Sequence, residues 1–511
     1  MEQEKTKKIA INTLFLYFRS LFSLFVSLYS SRLILQALGV EDYGTYNVVG
    51  GFVSMFWLVS GSLSSAVTRF LNFEMGRGNP EQLKRVFAMS LNIMLILALV
   101  VLLLTETFGL WFLHNKMNIP AGRETAAFWV FQFSVITVMT GFAIVPFNSA
   151  IIANEKMGIY AYLGISEAVL RLLIALVLVY GSIQADKLII YALLWLVATL
   201  LMQLAAAIYC QRVFPECQFR RVFDKGLFKE MFSFAGWNFI GSIAGTFSGQ
   251  GVNVLLNLFY GTIANAARGL AGTVNNAVSL FVNNFTIALN PQITQSYASG
   301  NQDYLRSLVF RGTKFSFFIL LLFAIPLFLE TPFVLQIWLN EVPEHTANFI
   351  RLTLLISVVD LHGGIFNMAQ KATGDIRTLQ IWLSLSTLSI FPLSYLSLKA
   401  GLSPEIVYCV SLFISLFNVG VILFISHKKL SFSLRELFLS AYLKMELVAL
   451  LSLPIPVLLH SIFPAGWWRL IIVTIASVIN VTAFVLVIGC TPSERSTLIS
   501  QVLSRLKINN L

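Results

Sequence analysis

Five arginines fall inside long apolar runs of the chain: Arg19, Arg32, Arg171, Arg268 and Arg351. A guanidinium is planar, keeps its charge at any relevant pH and binds phosphate oxygens two at a time. At a bilayer centre it costs about 2.5–3.5 kcal/mol on insertion scales, so a central one needs a partner or a watered cavity. Arg32 and Arg351 lie near the ends of their runs, where a long side chain can snorkel to the interface. Arg268 instead heads a stripe of small and polar residues. Arg268, Gly272, Asn275, Ser279, Asn283, Thr286 and Asn290 follow one another at intervals of three or four, which is one face of an α-helix. Water or a polar ligand is expected along that face, although for any single asparagine helix-to-helix bonding is an equal reading. Asn12, Arg19, Ser23, Ser27 and Ser30 repeat the idea near the amino terminus.

Glu167 and Arg171 stand one helical turn apart with the acid first, the order that favours a direct ion pair. The other reading is a carboxyl that protonates and releases Arg171 to a phosphate. Asp360 and His362, beside Gly363-Gly364, are the ingredients of a proton relay. Two residues apart, they point to different faces, so only one reaches a cavity, and a packing role reads equally well. Gly241, Gly245 and Gly249 form a small-xxx-small face that lets helices approach, or a place where a helix bends to gate. No G-x-x-x-x-G-K-[ST] and no H-E-x-x-H occurs, and Cys210, Cys217, Cys409 and Cys490 lack metal-site spacing. No catalytic residue, metal or cofactor is expected.

These residues must be carried by membrane helices. The chain is 57% hydrophobic and only 12% charged, against about 25% charged in soluble domains. Fourteen runs are of spanning length: 9–38, 42–68, 86–113, 125–148, 158–181, 187–212, 229–258, 262–290, 308–339, 346–370, 377–400, 403–427, 438–462 and 466–490. Unbroken apolar runs exclude a β-barrel, whose strands alternate, and the fold class is all-α. The first run follows a basic stretch as a signal peptide would, but it is too long and lacks a cleavage site. The net charge of +11 arises on one side of the membrane. Lys5, Lys7, Lys8, Arg77, Lys84, Arg85, Arg220, Arg221, Arg306, Lys428 and others fall there, whereas Lys116, Arg123, Lys187, Lys399 and Arg469 fall opposite, which sets the termini in the cytoplasm. Nucleic acid is not needed to explain the basic balance.

The chain also repeats itself. "GRGNPEQLKR" from Gly76 and "ASGNQDYLRS" from Ala298 are in register at 222 residues, and the same offset aligns Gly39 with Gly261, Gly50 with Gly272 and Leu33 with Leu255. Phe147-Asn148 matches Phe366-Asn367 at 219. Six helices separate equivalent points, so the halves are parallel, as in transporters whose two bundles rock about a central site. The expected division is a bundle at 1–212, a linker at 213–228, a bundle at 229–427 and two further helices in 428–511.

The fourteen-helix count, "LGVEDYGTYNVVGG", "GNPEQLKR" and "PFNSAIIANEK" together resemble a bacterial polysaccharide flippase of the multidrug/oligosaccharidyl-lipid/polysaccharide superfamily. The resemblance implies a MATE-like fold and a multi-pass inner-membrane protein that moves polyprenyl-pyrophosphate-linked O-antigen or capsule units outward. It further implies a polysaccharide polymerase and chain-length machinery as partners. In the similar lipid II flippases, arginines on helices 1 and 8 meet the pyrophosphate, and Arg19 and Arg268 are the matching positions. With Arg171, Asn275, Ser279 and Asn283 they form the expected binding set, and Glu167, Asp360 and His362 are the candidates for proton or sodium coupling. One charge crossing 100 mV gains about 2.3 kcal/mol, enough to bias such a cycle. The last two helices are expected to offer a groove to the polyprenyl tail. Two alternatives compete: a multidrug exporter of the same superfamily, which would place acids rather than arginines in an aromatic cavity, and a membrane-embedded polymerase or ligase, which would need a sizeable external loop.

Overall fold

A computed structural model describes residues 2–115, 117, 119–120, 122–182, 184–218, 223–339, 342–430, 432–492 and 494–496. Lys116, Arg220 and Arg221, named above for topology, lie outside these, and so does the tail from 497. Helix Glu2–Ser54 is broken at Gly39 into α1 (2–38) and the start of α2, which turns at 55–56 and resumes as Trp57–Arg77, giving α2 (40–77). There follow α3 (Pro80–Asn115), α4 (Glu124–Ala153), α5 (Met157–Tyr180) and α6 (Lys187–Val213). Helix Lys225–Ala298 is broken at Gly261 into α7 (225–260) and α8 (262–298). Then come α9 (Gln302–Trp338), α10 (Thr346–Ala372), α11 (Arg377–Lys399), α12 (Ile406–Leu430), α13 (Leu434–Ile462) and α14 (Trp467–Gly489). The fourteen helices match the fourteen runs, and several extend beyond them, because polar flanks such as 69–77 and 80–85 continue the helices past the apolar stretch.

The repeat is visible in the backbone. Gly39 has φ 78° and Gly261 has φ 72°, left-handed values that an L side chain resists, and each joins two helices with no loop between them. Gly78 (φ 68°) and Gly300 (φ 74°) end α2 and α8 in the same way. Asn79 and Asn301 then cap α3 and α9, each side-chain oxygen accepting from the backbone N–H three residues on, at 3.1 Å. The Gly-Asn pair of the sequence is thus a helix stop followed by a helix start.

Among the described residues, eleven helices are long and apolar enough to cross a membrane by length and composition; α2, α7 and α8 are the three not in that set. A helix too polar for lipid needs protein or water along part of its surface.

The chain packs as two compact units, Ile9–Phe239 and the segment from Ile240 onward, so that the division falls inside α7. The first turns of α7 belong to the amino-terminal unit, where Phe234 meets Phe70 edge-on at 6.1 Å and Glu230 lies 3.9 Å from Arg69. In the described part of the expected linker 213–228, Phe214, Glu216 and Cys217 are buried and Asn154 Nδ2 donates to Glu216 Oε1 at 2.9 Å, whereas Gln218, Phe223 and Lys225 are exposed. All four cysteines are free thiols.

In the carboxy-terminal unit, α13 and α14 are fastened to α9 and α10. Phe317, Phe318, Leu321 and Ile325 of α9 share one core with Met445, Val448 and Val481. Glu330 of α9 is 0% exposed; His460 Nδ1 donates to one of its oxygens at 2.8 Å, and Arg469 donates to the other at 3.0 and 3.1 Å. At the opposite end Lys314 and Arg311 of α9 pair with Glu494 at 3.1 and 3.2 Å. Burial works to raise the Glu494 carboxyl, but the Thr491 N–H and these cations hold it below the usual carboxylate range.

Candidate site of membrane-embedded arginines

Arg268 leaves α8 toward α7 and α12. It donates to the Gly249 carbonyl at 3.3 Å and lies 5.6 Å from the ring of Tyr408, a cation–π distance. Arg19 leaves α1 toward α5, where its guanidinium sits 4.5 Å from the Tyr160 ring. Gly164 makes the room, since a Cβ there would stand 2.7 Å from Arg19 Cδ. Arg171 of α5 lies 5.5 Å from the Trp195 ring of α6, and its Nε is buried without a hydrogen-bond partner. Beside it Tyr46 and Tyr191 pack with ring centroids 4.7 Å apart. Among the described residues, none of these three arginines forms an ion pair with a carboxylate. Aromatic faces and a carbonyl stabilise these cations without a carboxylate among their partners, an arrangement that suits an incoming anion.

The direct Glu167–Arg171 ion pair expected from the spacing is absent. The Arg171 side chain turns to the α6 aromatics instead, and Glu167 stays exposed on α5.

The polar stripe of α8 divides. Asn275 Oδ1 accepts from Ser357 Oγ of α10 at 2.7 Å, so this residue serves helix packing. Ser279 is half-buried and Asn283 of the expected face is exposed, together with Thr273 and Asn276, which lie one helical step round from it. On α1, Asn12 donates to the Glu155 carbonyl at 3.2 Å, and the exposed face is the apolar one of Phe18, Leu21 and Phe25.

Asp360 and His362 do serve different neighbours. Asp360 accepts from Ser415 Oγ of α12. His362 Nε2 donates to Glu446 of α13 at 2.9 Å, its Nδ1 faces the Val358 carbonyl at 3.1 Å, and the Tyr442 hydroxyl donates to its own carbonyl at 2.6 Å. His362 thus fastens α13 to α10, whereas Asp360 is an exposed carboxylate on α10.

The glycine face of α7 is not a close helix contact along its length. Gly241 accommodates Gln380 of α11, whose Oε1 would lie 2.4 Å from an added Cβ, but Gly245 and Gly249 have nothing within 4 Å in that direction. Arg351 of α10 fills a gap in the hydrogen bonding of α9. Pro332 has no N–H to offer the Phe328 carbonyl, and Arg351 Nε donates to that carbonyl at 3.1 Å.

Two polar clusters escaped the sequence reading. Arg123, just before α4, donates to Asp42 of α2 at 2.5 and 2.7 Å and to Asp186, the cap of α6, at 2.5 and 3.1 Å. In the other unit His345, just before α10, donates to Glu405, just before α12, at 2.7 Å, and Asn348 Nδ2 donates to the same oxygen at 3.1 Å. The repeat offsets would have found them, since 123 and 345 differ by 222, and 186 and 405 by 219. Burial favours a raised Glu405 carboxyl, but the Asn348 and His345 hydrogen bonds outweigh it and hold the group at about 2. At Asp186 burial is likewise outweighed, by Arg123 and the N-terminal N–H groups of α6, and the carboxyl is lowered.

The sequence matches the family profile described as polysaccharide biosynthesis protein over residues 6–297, and the MatE profile over 239–396. It is similar to an uncharacterized membrane protein, EpsK, of Bacillus subtilis (strain 168), with 25% identity over 338 residues; the match spans 63% of either chain. Solved structures with the same fold include a MATE protein in the bent conformation (TM-score 0.71, 13% identity, 84% of this chain and 96% of that one). Others are a MOP superfamily transporter from Pyrococcus furiosus (0.71, 12%, 84% and 96%) and the Vibrio cholerae MATE transporter VcmN in its bent form (0.69, 18%, 85% and 98%). With a profile match over more than half of its length, the chain belongs to the polysaccharide biosynthesis protein family, a group of membrane transporters, and it is built on the MATE fold.

Proposed function

We propose that the protein is a flippase for polyprenyl-diphosphate-linked oligosaccharide, carrying repeat units across the bacterial inner membrane for surface polysaccharide synthesis, with its termini cytoplasmic. The observation that carries this reading is the set of membrane-embedded arginines, Arg19, Arg171 and Arg268, held by aromatic rings and a carbonyl rather than by carboxylates. A diphosphate supplies the negative charge that they lack. A second feature supports the lipid half of the substrate. An apolar cavity of about 390 Å³ in the carboxy-terminal unit is lined by Val278 of α8, Leu322, Pro326 and Leu327 of α9, and Leu470 and Thr474 of α14. Its apolar lining suits an isoprenoid chain. Exchange between inward- and outward-open states would be driven by an ion gradient, with Asp360 and Glu167 as the carboxylates available to it.

Arg19→Ala and Arg268→Ala, each checked for expression and folding, should lower surface polysaccharide at least tenfold. Wild-type glycan from both variants would sink the proposal. The MatE match over 239–396 favours a second reading, export of drug cations. The Pyrococcus furiosus relative is described as having a binding pocket of reverse polarity, so pockets of unlike charge occur on this fold. Native mass spectrometry of the purified protein separates the two: retained lipid-linked sugar supports the flippase, retained drug cations the exporter.

A further inference from the structure

Three helix ends of the carboxy-terminal unit meet at His345, and from there buried rings lead to Arg268. His345 caps α10 with φ 68°, a left-handed value that its surroundings must hold. It donates to Glu405, just before α12, at 2.7 Å. Tyr260, the last residue of α7 before the break at Gly261, meets the His345 ring edge-on at 6.4 Å. The Tyr260 hydroxyl also donates to the Leu402 carbonyl at 2.8 Å, so the loop before α12 is held at two points. About one turn into each of α10 and α12 stands an aromatic residue, Phe349 four residues after His345 and Tyr408 three after Glu405. Phe349 stacks on His345 at 6.0 Å and packs against Tyr408 at 4.7 Å. The two rings are 0% and 6% exposed and belong to one apolar core. Tyr408 in turn lies 5.6 Å from the guanidinium of Arg268, which donates to the Gly249 carbonyl at 3.3 Å.

The clasp of the amino-terminal unit has no such extension. The residue four after Arg123 is Ala127 and the residue three after Asp186 is Ile189, so neither helix carries a ring there. The position 222 residues before Arg268 is Tyr46, which bears no charge to hold. We propose that the clasp of His345 and Glu405 positions Arg268: by pinning the first turns of α10 and α12 it keeps Tyr408 beside the guanidinium, and it thereby sets the affinity of this arginine for a lipid diphosphate. The physical reason is preorganisation. An arginine side chain has several rotatable bonds, and whatever freedom it keeps must be given up when an anion binds. A ring that is locked between Phe349 and the core cannot tilt away, so it fixes the cation before the ligand arrives. Glu405 acts through Tyr408 rather than on the ligand and is a positioning residue. The inference rests on the flippase reading, because it takes a diphosphate as the ligand of Arg268.

The test uses the full chain in detergent, titrated with farnesyl diphosphate. Tyr408→Leu and Glu405→Ala should each weaken binding about fivefold, and Tyr408→Phe, which keeps the ring, should recover most of the loss. In an Arg268→Ala background Glu405→Ala should add no further loss, because the side chain it positions is gone. Arg123→Ala opens the other clasp and controls for destabilisation: its melting temperature should fall while its affinity stays within about twofold of wild type. A loss for Glu405→Ala that persists in the Arg268→Ala background, or that Arg123→Ala matches, is a general structural effect and overturns the inference. Wild-type binding by Glu405→Ala, while Arg268→Ala binds weakly, overturns it as well and leaves the flippase reading intact. Indifference to Arg268 alone has the same meaning, whereas indifference to Arg19, Arg171 and Arg268 together overturns both.

Discussion

The two units use the same clasp where their fourth and sixth helices begin, but with different chemistry. In the amino-terminal unit Arg123 meets two carboxylates, Asp42 and Asp186. In the carboxy-terminal unit His345 stands at the corresponding position and meets one acid, Glu405, helped by Asn348. Arginine is charged at every accessible pH and histidine is not. The first clasp is therefore a permanent ionic joint, whereas the second depends on hydrogen bonds and on the medium. The carboxy-terminal unit adds a further joint that the other lacks, the buried Glu330 that ties α9 to α13 and α14. The repeat places the two clasps at equivalent points, and the side chains that close them differ.

The largest effect should come from that additional joint. Glu330→Ala leaves the half-buried Arg469 without its counter-charge, a change that costs up to about 3 kcal/mol. Thermal unfolding of the purified protein should fall steeply, and a shift equal to that of an exposed-residue control would break the contrast between the units. Glu405→Gln comes next. The folded carboxyl titrates at about 2 against an ordinary value of 4.5, so its stabilising contribution is complete above pH 4.5 and lost as pH falls toward 2. The difference between wild type and variant should be at most about 3 kcal/mol at pH 7 and should shrink across that interval; a difference that grows on acidification would reverse the assignment. Arg123→Ala should cost about 2 kcal/mol, because two partly buried carboxylates lose the cation they share. Asp186 is lowered in the folded state, so this clasp also weakens toward acid, and the variant should show a flatter acid limb than wild type. The smallest effect is expected for His345→Arg, which makes the second clasp resemble the first. A change of at most about 0.5–1 kcal/mol in thermal stability fits the comparison, and a loss as large as that of Glu405→Gln would remove it.

The helices, their number and the repeat are legible because they rest on local information: apolar length, and Gly-Asn pairs that stop one helix and start the next. Arg19, Arg171 and Arg268 are visible for the same reason, since an arginine in an apolar run is conspicuous wherever its side chain points. What a side chain touches is harder to read. Glu167 and Arg171 have the spacing of an ion pair, yet the aromatic residues of α6 draw Arg171 away. Asn275 lies on a plausible cavity stripe, yet Ser357, 82 residues distant, takes it for packing. Glu330 draws no attention in the sequence because its partners are 130 and 139 residues downstream. Arg123 reads only as a loop cation, although the offsets of 222 and 219 already point from it to His345 and from Asp186 to Glu405.

The joint at Glu330 also has a consequence for biogenesis. Helix α9 leaves the ribosome well before His460 and Arg469 exist, and at about 5–20 residues per second the wait is on the order of 10–30 seconds. For that interval the acid must remain hydrated, be protonated or borrow a counter-ion, so α9 cannot settle into its final seat before the last two helices arrive. Arrival of α13 and α14, rather than insertion of the twelfth helix, is then the event that commits the carboxy-terminal unit, and chains that stall before Trp467 should be the ones a membrane protease removes.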